Sequence, residues 1–185
     1  MMRFSTITVA SLTLAVLCTA GSSKVRAASA NEISLNASQA LEDLCKNNQS
    51  ARLLRSEAHA ILVFPGIYKA GFIVGGAAGN GALFKQGKTV GYYRSVAASY
   101  GLQAGAQKFG YALFFMNDAA LEYLNKSDGW EIGVGPSIVV VDSGAAKSLT
   151  TTTGRSDVYA FIFSQKGLMA GIGIQGSKVT KISPD

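Results

Sequence analysis

The spacing of apolar positions changes near residue 60. Before it, Leu35, Ala37, Leu41, Leu44 and Cys45 recur close to helical spacing, with Glu42, Asp43 and Lys46 between them. That pattern predicts helix within 33–57. Asn47-Asn48-Gln49-Ser50 interrupts it, and Ser50 is placed to cap a second short helix through Arg55. A helix pair packed on a sheet fits this pattern. The alternative, a helix lying on a membrane by Leu35 and Leu41, calls for a basic polar face, and this one is mixed.

From Ala60 onward the period is that of strands punctuated by Gly and Asn. The runs are Ile61–Phe64, Phe72–Ala77, Ala82–Gln86, Thr89–Ser95, Ser99–Ala106, Tyr111–Met116, Glu131–Val134, Ser137–Asp142, Val158–Phe163 and Leu168–Ile174. A helix is expected at Asp118–Leu124, capped by Asp118, with Leu121 and Leu124 inward. Thr150–Gly154 reads as a polar loop or edge. Tyr111–Met116 and Val158–Phe163 are apolar on both faces, as for strands covered from both sides. The fold expected is α+β: a strongly curled or barrel-like antiparallel sheet of many short Gly-rich strands, with N-terminal helices and one inserted helix packed on it.

Glycine sharpens that picture. Gly71, Gly75, Gly79 and Gly81 form a small-residue row with Ala77. In Tyr100–Gln107 one strand face alternates Gly and Gln, and in Gly167–Ile174 one face is mostly glycine. Glycine weakens a strand unless the sheet bends there or another backbone comes close.

The N-terminus has a different character. Arg3 precedes the apolar run Ile7–Leu17, and small residues lead to Ala28-Ser29-Ala30, with Val25-Arg26-Ala27 as a second cleavage option. This is the secretory pattern, and the run is shorter than the roughly 20 residues a membrane span needs. Residues 1–30 are expected to be a signal peptide and 31–185 a single domain, exported to the periplasm or cell envelope or secreted. Cys18 ends the apolar run, which leaves acylation of Cys18 open as a rival to simple removal. Loss of 1–30 removes Arg3, Lys24 and Arg26 and no acid, so the net charge falls from +6 to +3. A nucleic-acid partner is not expected at that charge. Cys45 alone would remain, so no internal disulfide is expected.

Catalytic motifs fail on context. Gly171-Ile-Gly173-Ile-Gln-Gly176 has the dinucleotide spacing, but only nine residues follow it. Gly81–Thr89 resembles a phosphate loop with one residue too many between its glycines, and it alternates like a hairpin turning at Gln86-Gly87-Lys88. His59 is the single histidine, and no nucleophile signature accompanies it. No cluster has metal-ligand spacing. An enzyme is not expected, nor a cofactor. Cations and aromatics do converge, in Phe64–Lys69, Phe84–Lys88 and Tyr92-Tyr93-Arg94. A ring beside a cation suits a lipid headgroup layer.

Four stretches together resemble the SYLF domain family. They are Ala60-Ile-Leu-Val-Phe64-Pro65, the glycine run from Gly71 to Gly81, Ser99-Tyr-Gly101-Leu-Gln103-Ala-Gly105-Ala-Gln107, and Lys166-Gly167-Leu168-Met-Ala170-Gly171 with Gly176. The resemblance spans about Asn36 to Ile182 and looks like the exported bacterial single-domain branch. Where eukaryotic members carry Gly-x-Trp-Ser-x-Pro, this chain has Gly91-Tyr-Tyr-Arg-Ser-Val96. The resemblance implies a non-enzymatic domain that binds acidic phospholipids or a membrane surface through basic residues. It also implies actin binding of the kind found in fungal members, a partner an exported chain would not ordinarily meet.

The expected lipid contacts are Lys69, Lys85, Lys88, Arg94 and Lys108, with Tyr68 and Phe84 at the interface. Two other classes stay open. One is an envelope structural or protein-interaction module. The other is an apolar-ligand carrier, unless Phe114, Phe115, Phe161 and Phe163 fill the interior.

Overall fold

The computed structural model describes residues 28–126, 128–141, 156–167, 174 and 176–185, with 99–104 as backbone. Residues 1–27 of the expected leader, the Thr150–Gly154 loop and most of the strand expected at Leu168–Ile174 lie outside the described residues, whereas Ala28–Ala30 at the expected cleavage site lie within them.

Helix α1 (Ala30–Asn47) begins where the Ser29 hydroxyl accepts from Glu32 N–H, and Glu32 in the first turn suits the positive helix end. It buries Ile33, Ala37, Leu41, Leu44 and Cys45 against the sheet, so the apolar stripe covers protein rather than membrane. Leu35, expected on that stripe, faces outward, and Ile33 takes its place. Helix α2 (Gln49–Glu57) is capped by Asn48, whose side chain accepts from Ala51 N–H; Ser50, the expected cap, is already inside the helix. Arg55 on α2 pairs with Glu42 on α1 at 2.7 Å.

Strands β1 (Ala60–Lys85) and β2 (Lys88–Phe115) dominate the fold. Each joins three of the expected short runs into one long strand. They pair antiparallel from Ala60↔Phe115 to Lys85↔Lys88, through the two-residue turn Gln86-Gly87, where both residues have positive φ. Such a turn matches the natural strand twist. Near the middle the ladder breaks: Phe72 faces Ala104 and Val74 faces Tyr100, leaving Ile73 opposite three residues. Here the hairpin turns a corner and folds back on itself. The first arm is Ala60–Phe72 with Ala104–Phe115, and the second is Val74–Lys85 with Lys88–Tyr100.

The glycine row is what lets the arms close. A Cβ at Gly79 would strike the Gly66 carbonyl and stand 2.7 Å from Ile67 Cδ1; one at Gly81 would strike the Val63 carbonyl and stand 2.7 Å from Phe64 Cδ1. Both reasons for strand glycine, a bend and a close approach, therefore apply within β1.

The other strands extend this frame. After the short helix α3 (Asp118–Glu122) and a 3-10 turn come β3 (Trp130–Glu131), β4 (Ile138–Val141), β5 (Val158–Gly167) and β6 (Lys178–Ile182). Asn117, not Asp118, caps α3, its side chain accepting from Ala120 N–H. β5 joins the first arm through β2, and β6 joins the second arm through β2. The sheet is mixed rather than wholly antiparallel, because β4 runs parallel to β5. The result is the expected α+β arrangement of helices on a strongly curled sheet.

The first arm is covered on both faces. Leu62, Phe64, Leu113, Phe115 and Trp130 pack inside the curl, whereas Ile61, Val63, Phe114 and Phe161 pack under the helices. Phe114 and Phe161 meet edge to face at 5.0 Å. Full burial contributes roughly 1.5–3 kcal/mol for each such side chain.

Candidate functional site

Between Glu57 and Asp118 the chain has no Asp or Glu, yet carries Lys69, Lys85, Lys88, Arg94 and Lys108. The formal charge of the β1–β2 hairpin is therefore purely positive, and folding sorts its cations into different places.

Two of them meet at a groove. Arg94 and Lys108 line an open cleft of about 770 Å³ between α1 and the two arms, together with Tyr68. Its floor includes Gly66 and Gly79, the point where the arms touch. Asn36, Gln39 and Asp43 of α1 line the opposite wall, so the cleft is mixed in polarity and includes one carboxylate. Arg94 Nε donates to Oδ1 of Asn80, its ladder partner, at 3.0 Å, which fixes the guanidinium at the rim. Lys108 Nζ lies 5.0 Å from the centre of the Tyr68 ring. Tyr68 and Lys108 are direct cross-strand partners, and Lys108 is in turn opposite Lys166 on β5. Directly paired residues share a sheet face. Tyr68, Lys108 and Lys166 thus form one exposed row across three strands. Among the described residues, neither lysine of this row forms an ion pair. Like charges at directly paired positions are unfavourable, and an anion bridging the two lysines would relieve that.

Lys85 and Lys88 stand apart from this group. They face each other across the Gln86-Gly87 turn. Lys85 Nζ is 4.0 Å from Asp118 Oδ1, which also lies 3.1 Å from His59 Nδ1. The His59 hydrogen bond, its charge when protonated, and Lys85 hold the Asp118 carboxyl below the usual range. The hairpin tip therefore meets a counter-ion supplied by α3. His59 sits at the start of β1, as its position in the sequence implies.

Phe84 corrects the expectation of an interfacial ring. It is only 8% exposed and packs beneath the helices with Ile61 and Ala82. Strand alternation turns it to the side opposite Leu83, and α1 covers that side. Lys69 is half-buried, opposite Gln107, on the face of β1 away from Tyr68.

Sequence patterns missed Lys166 and Asn80, because only the ladder registers bring them beside Lys108 and Arg94. They also missed the corner itself, where Phe72, Ile73 and Val74 are 74%, 55% and 56% exposed. The one available signal was glycine on both sides of that triplet, at Gly71 and Gly75-Gly76. Among the described residues no three His, Cys, Asp or Glu side chains converge, and no helix is long and apolar enough to cross a membrane.

Residues 96–183 match the family model Ysc84, described as a Las17-binding protein actin regulator. No curated protein matches the chain. The matched segment holds Lys108 and Lys166 and runs from the second arm of β2 through β6, whereas Tyr68 and Arg94 precede it. Over residues 96–183 the chain thus matches the model of the Ysc84 (SYLF) family, the family its sequence resembles.

Proposed function

We propose that this chain is an exported, non-enzymatic lipid-binding domain of the cell envelope that holds acidic phospholipid headgroups at the groove between α1 and the β1–β2 hairpin. The observation that carries this reading is the convergence of Arg94, Lys108 and Tyr68 on one cleft, within a hairpin that has cations and no acids. The N-terminal leader pattern supports export, and the family resemblance supports lipid as the ligand. Lys166 extends the cationic row beyond the residues expected from sequence.

A cation near an anionic membrane contributes about 1 kcal/mol. Changing both Arg94 and Lys108 to Ala is expected to weaken binding to phosphatidylglycerol-containing vesicles about 30-fold. The salt dependence of binding should also become shallower. Co-sedimentation with vesicles, at two ionic strengths, reads both. Equal binding of the wild type to vesicles with and without acidic lipid would refute the headgroup assignment.

A second reading, actin contact, rests on the description of the matched family alone. Pelleting with actin filaments tests it. Co-pelleting, with no vesicle binding, would replace the lipid reading.

A further inference from the structure

The corner of the β1–β2 hairpin places three consecutive large apolar side chains, Phe72, Ile73 and Val74, in solvent. An exposed run of this kind contributes nothing to the core and normally marks an interaction surface. Ile73 also has φ 64, a left-handed conformation that β-branched residues rarely adopt. The chain thus accepts local backbone strain to present an apolar residue outward.

The surroundings indicate what covers it. The β1–β2 ladder is unbroken from Ile67 to Phe72, so Tyr68, Ala70 and Phe72 share one face of β1. Between the Tyr68–Lys108–Lys166 row and Phe72 lies only the Ala70–Ala106 pair. Four residues of strand span about 13 Å. A headgroup layer is about 5–8 Å thick on each side of a bilayer. With Lys108 and Lys166 at the lipid phosphates, the corner therefore reaches past the headgroups to the edge of the hydrocarbon. No carboxylate is present anywhere in the hairpin to be driven towards an anionic surface.

We propose that the Phe72-Ile73-Val74 corner is a membrane wedge, inserting into the acyl-chain boundary of an acidic bilayer while Lys108, Lys166 and Tyr68 rest in the headgroup layer. This deepens the lipid-binding reading and rests on it. It assigns the domain an orientation on the membrane, with the hairpin corner down.

The test uses the full chain and vesicles of phosphatidylcholine with and without phosphatidylglycerol. The triple variant Phe72→Ser, Ile73→Asn, Val74→Ser removes the apolar triplet, and Asn tolerates the positive φ at 73. It is expected to bind acidic vesicles at least about tenfold more weakly, with an unchanged salt dependence. In a second variant, Phe72→Trp, the new indole should be quenched by lipids brominated along the acyl chain. The native Trp130 is buried and provides a constant background. Wild-type affinity in the triple variant, or an unquenched Phe72→Trp, would overturn the wedge and leave headgroup binding standing. No vesicle binding by the wild type would remove both. Loss of a lipid-free oligomer in the triple variant would overturn the wedge by making the corner a contact between copies.

Discussion

Lys108 holds its ammonium 5.0 Å from the centre of the Tyr68 ring, its direct partner across the β1–β2 ladder. The cation has one ring beside it and a second cation, Lys166, on its other side. Tyr68 thus steadies a lysine that its other neighbour repels. An exposed cation–π contact contributes about 0.5–1 kcal/mol. A double-mutant cycle of Tyr68→Leu and Lys108→Gln, read by denaturant unfolding, is expected to give a coupling energy in that range. Tyr68→Phe should keep most of it, because the ring remains. Additive single effects would show that the ring does not hold the ammonium.

The fold-back of the hairpin depends on glycine where its arms touch. Gly79→Ala would push a methyl group into the Gly66 carbonyl, and Gly81→Ala into that of Val63. Backbone cannot yield there as a flexible side chain would. Overpacking of this kind costs about 1–3 kcal/mol. In a domain of this size that lowers Tm by about 2–4 °C for each kcal/mol. Gly76 provides the control, because a Cβ there meets nothing nearer than 3.8 Å. Gly76→Ala should leave Tm close to wild type. A Gly79→Ala protein as stable as Gly76→Ala would mean that the arms do not approach so closely.

What was legible in the sequence was whatever a local period encodes. The two N-terminal helices, the inserted helix after Met116 and the doubly buried Tyr111–Met116 segment all follow from spacing. Gly79 and Gly81 announced a close approach without saying to what. Continuity was harder to read: Gly71 and Gly75 read as part of a small-residue row calling for a bend or a close approach, and the structure shows that they flank a corner inside one strand. Strand β6 was missed since Lys178-Val-Thr-Lys-Ile182 has only Val179 fully buried, too faint an alternation to register. Lys166 illustrates the larger limit. It belongs beside Lys108 only through the β2–β5 register, which pairing across the sheet decides. Phe84 shows the converse: its neighbours in the chain are a turn and two lysines, but its environment is set by the helix packed over it.

Cys45 offers a test of that helix packing. It is buried between α1 and the sheet, and burial raises its thiol pKa above the usual value, with Arg55 opposing in part. Less thiolate and less access both slow modification. Peptide-resolved labelling at neutral pH should find Cys45 unreactive in the folded protein and reactive in denaturant. Breaking the Arg55–Glu42 pair, 2.7 Å long and exposed, should change this little, because surface pairs contribute weakly. Rapid labelling of the native protein would mean that α1 opens from the sheet.

Asp157 should make the fold sensitive to acid. Its Oδ2 accepts from the Ser137 backbone N–H at 2.9 Å and from the Ser137 hydroxyl at 2.7 Å; its Oδ1 accepts from Asn117 Nδ2 at 2.9 Å. One carboxylate thereby ties the start of β5 to the start of β4 and to the cap of α3. The Ser137 hydroxyl and then Asn117 hold its pKa below the ordinary value. A carboxyl lowered in the folded state binds its proton more readily when unfolded. Its stabilisation is therefore complete above the unfolded pKa of about 3.9. It is lost as pH falls through the lower folded value. Tm should hold steady from neutral pH down to that region and drop below it. Asp157→Asn should lower Tm at neutral pH and make the acid drop shallower. It should not abolish the drop, because Asp118 beside His59 and Glu42 beside Arg55 are lowered in the same sense. Parallel Tm–pH curves for wild type and Asp157→Asn would show that Asp157 does not couple these three elements.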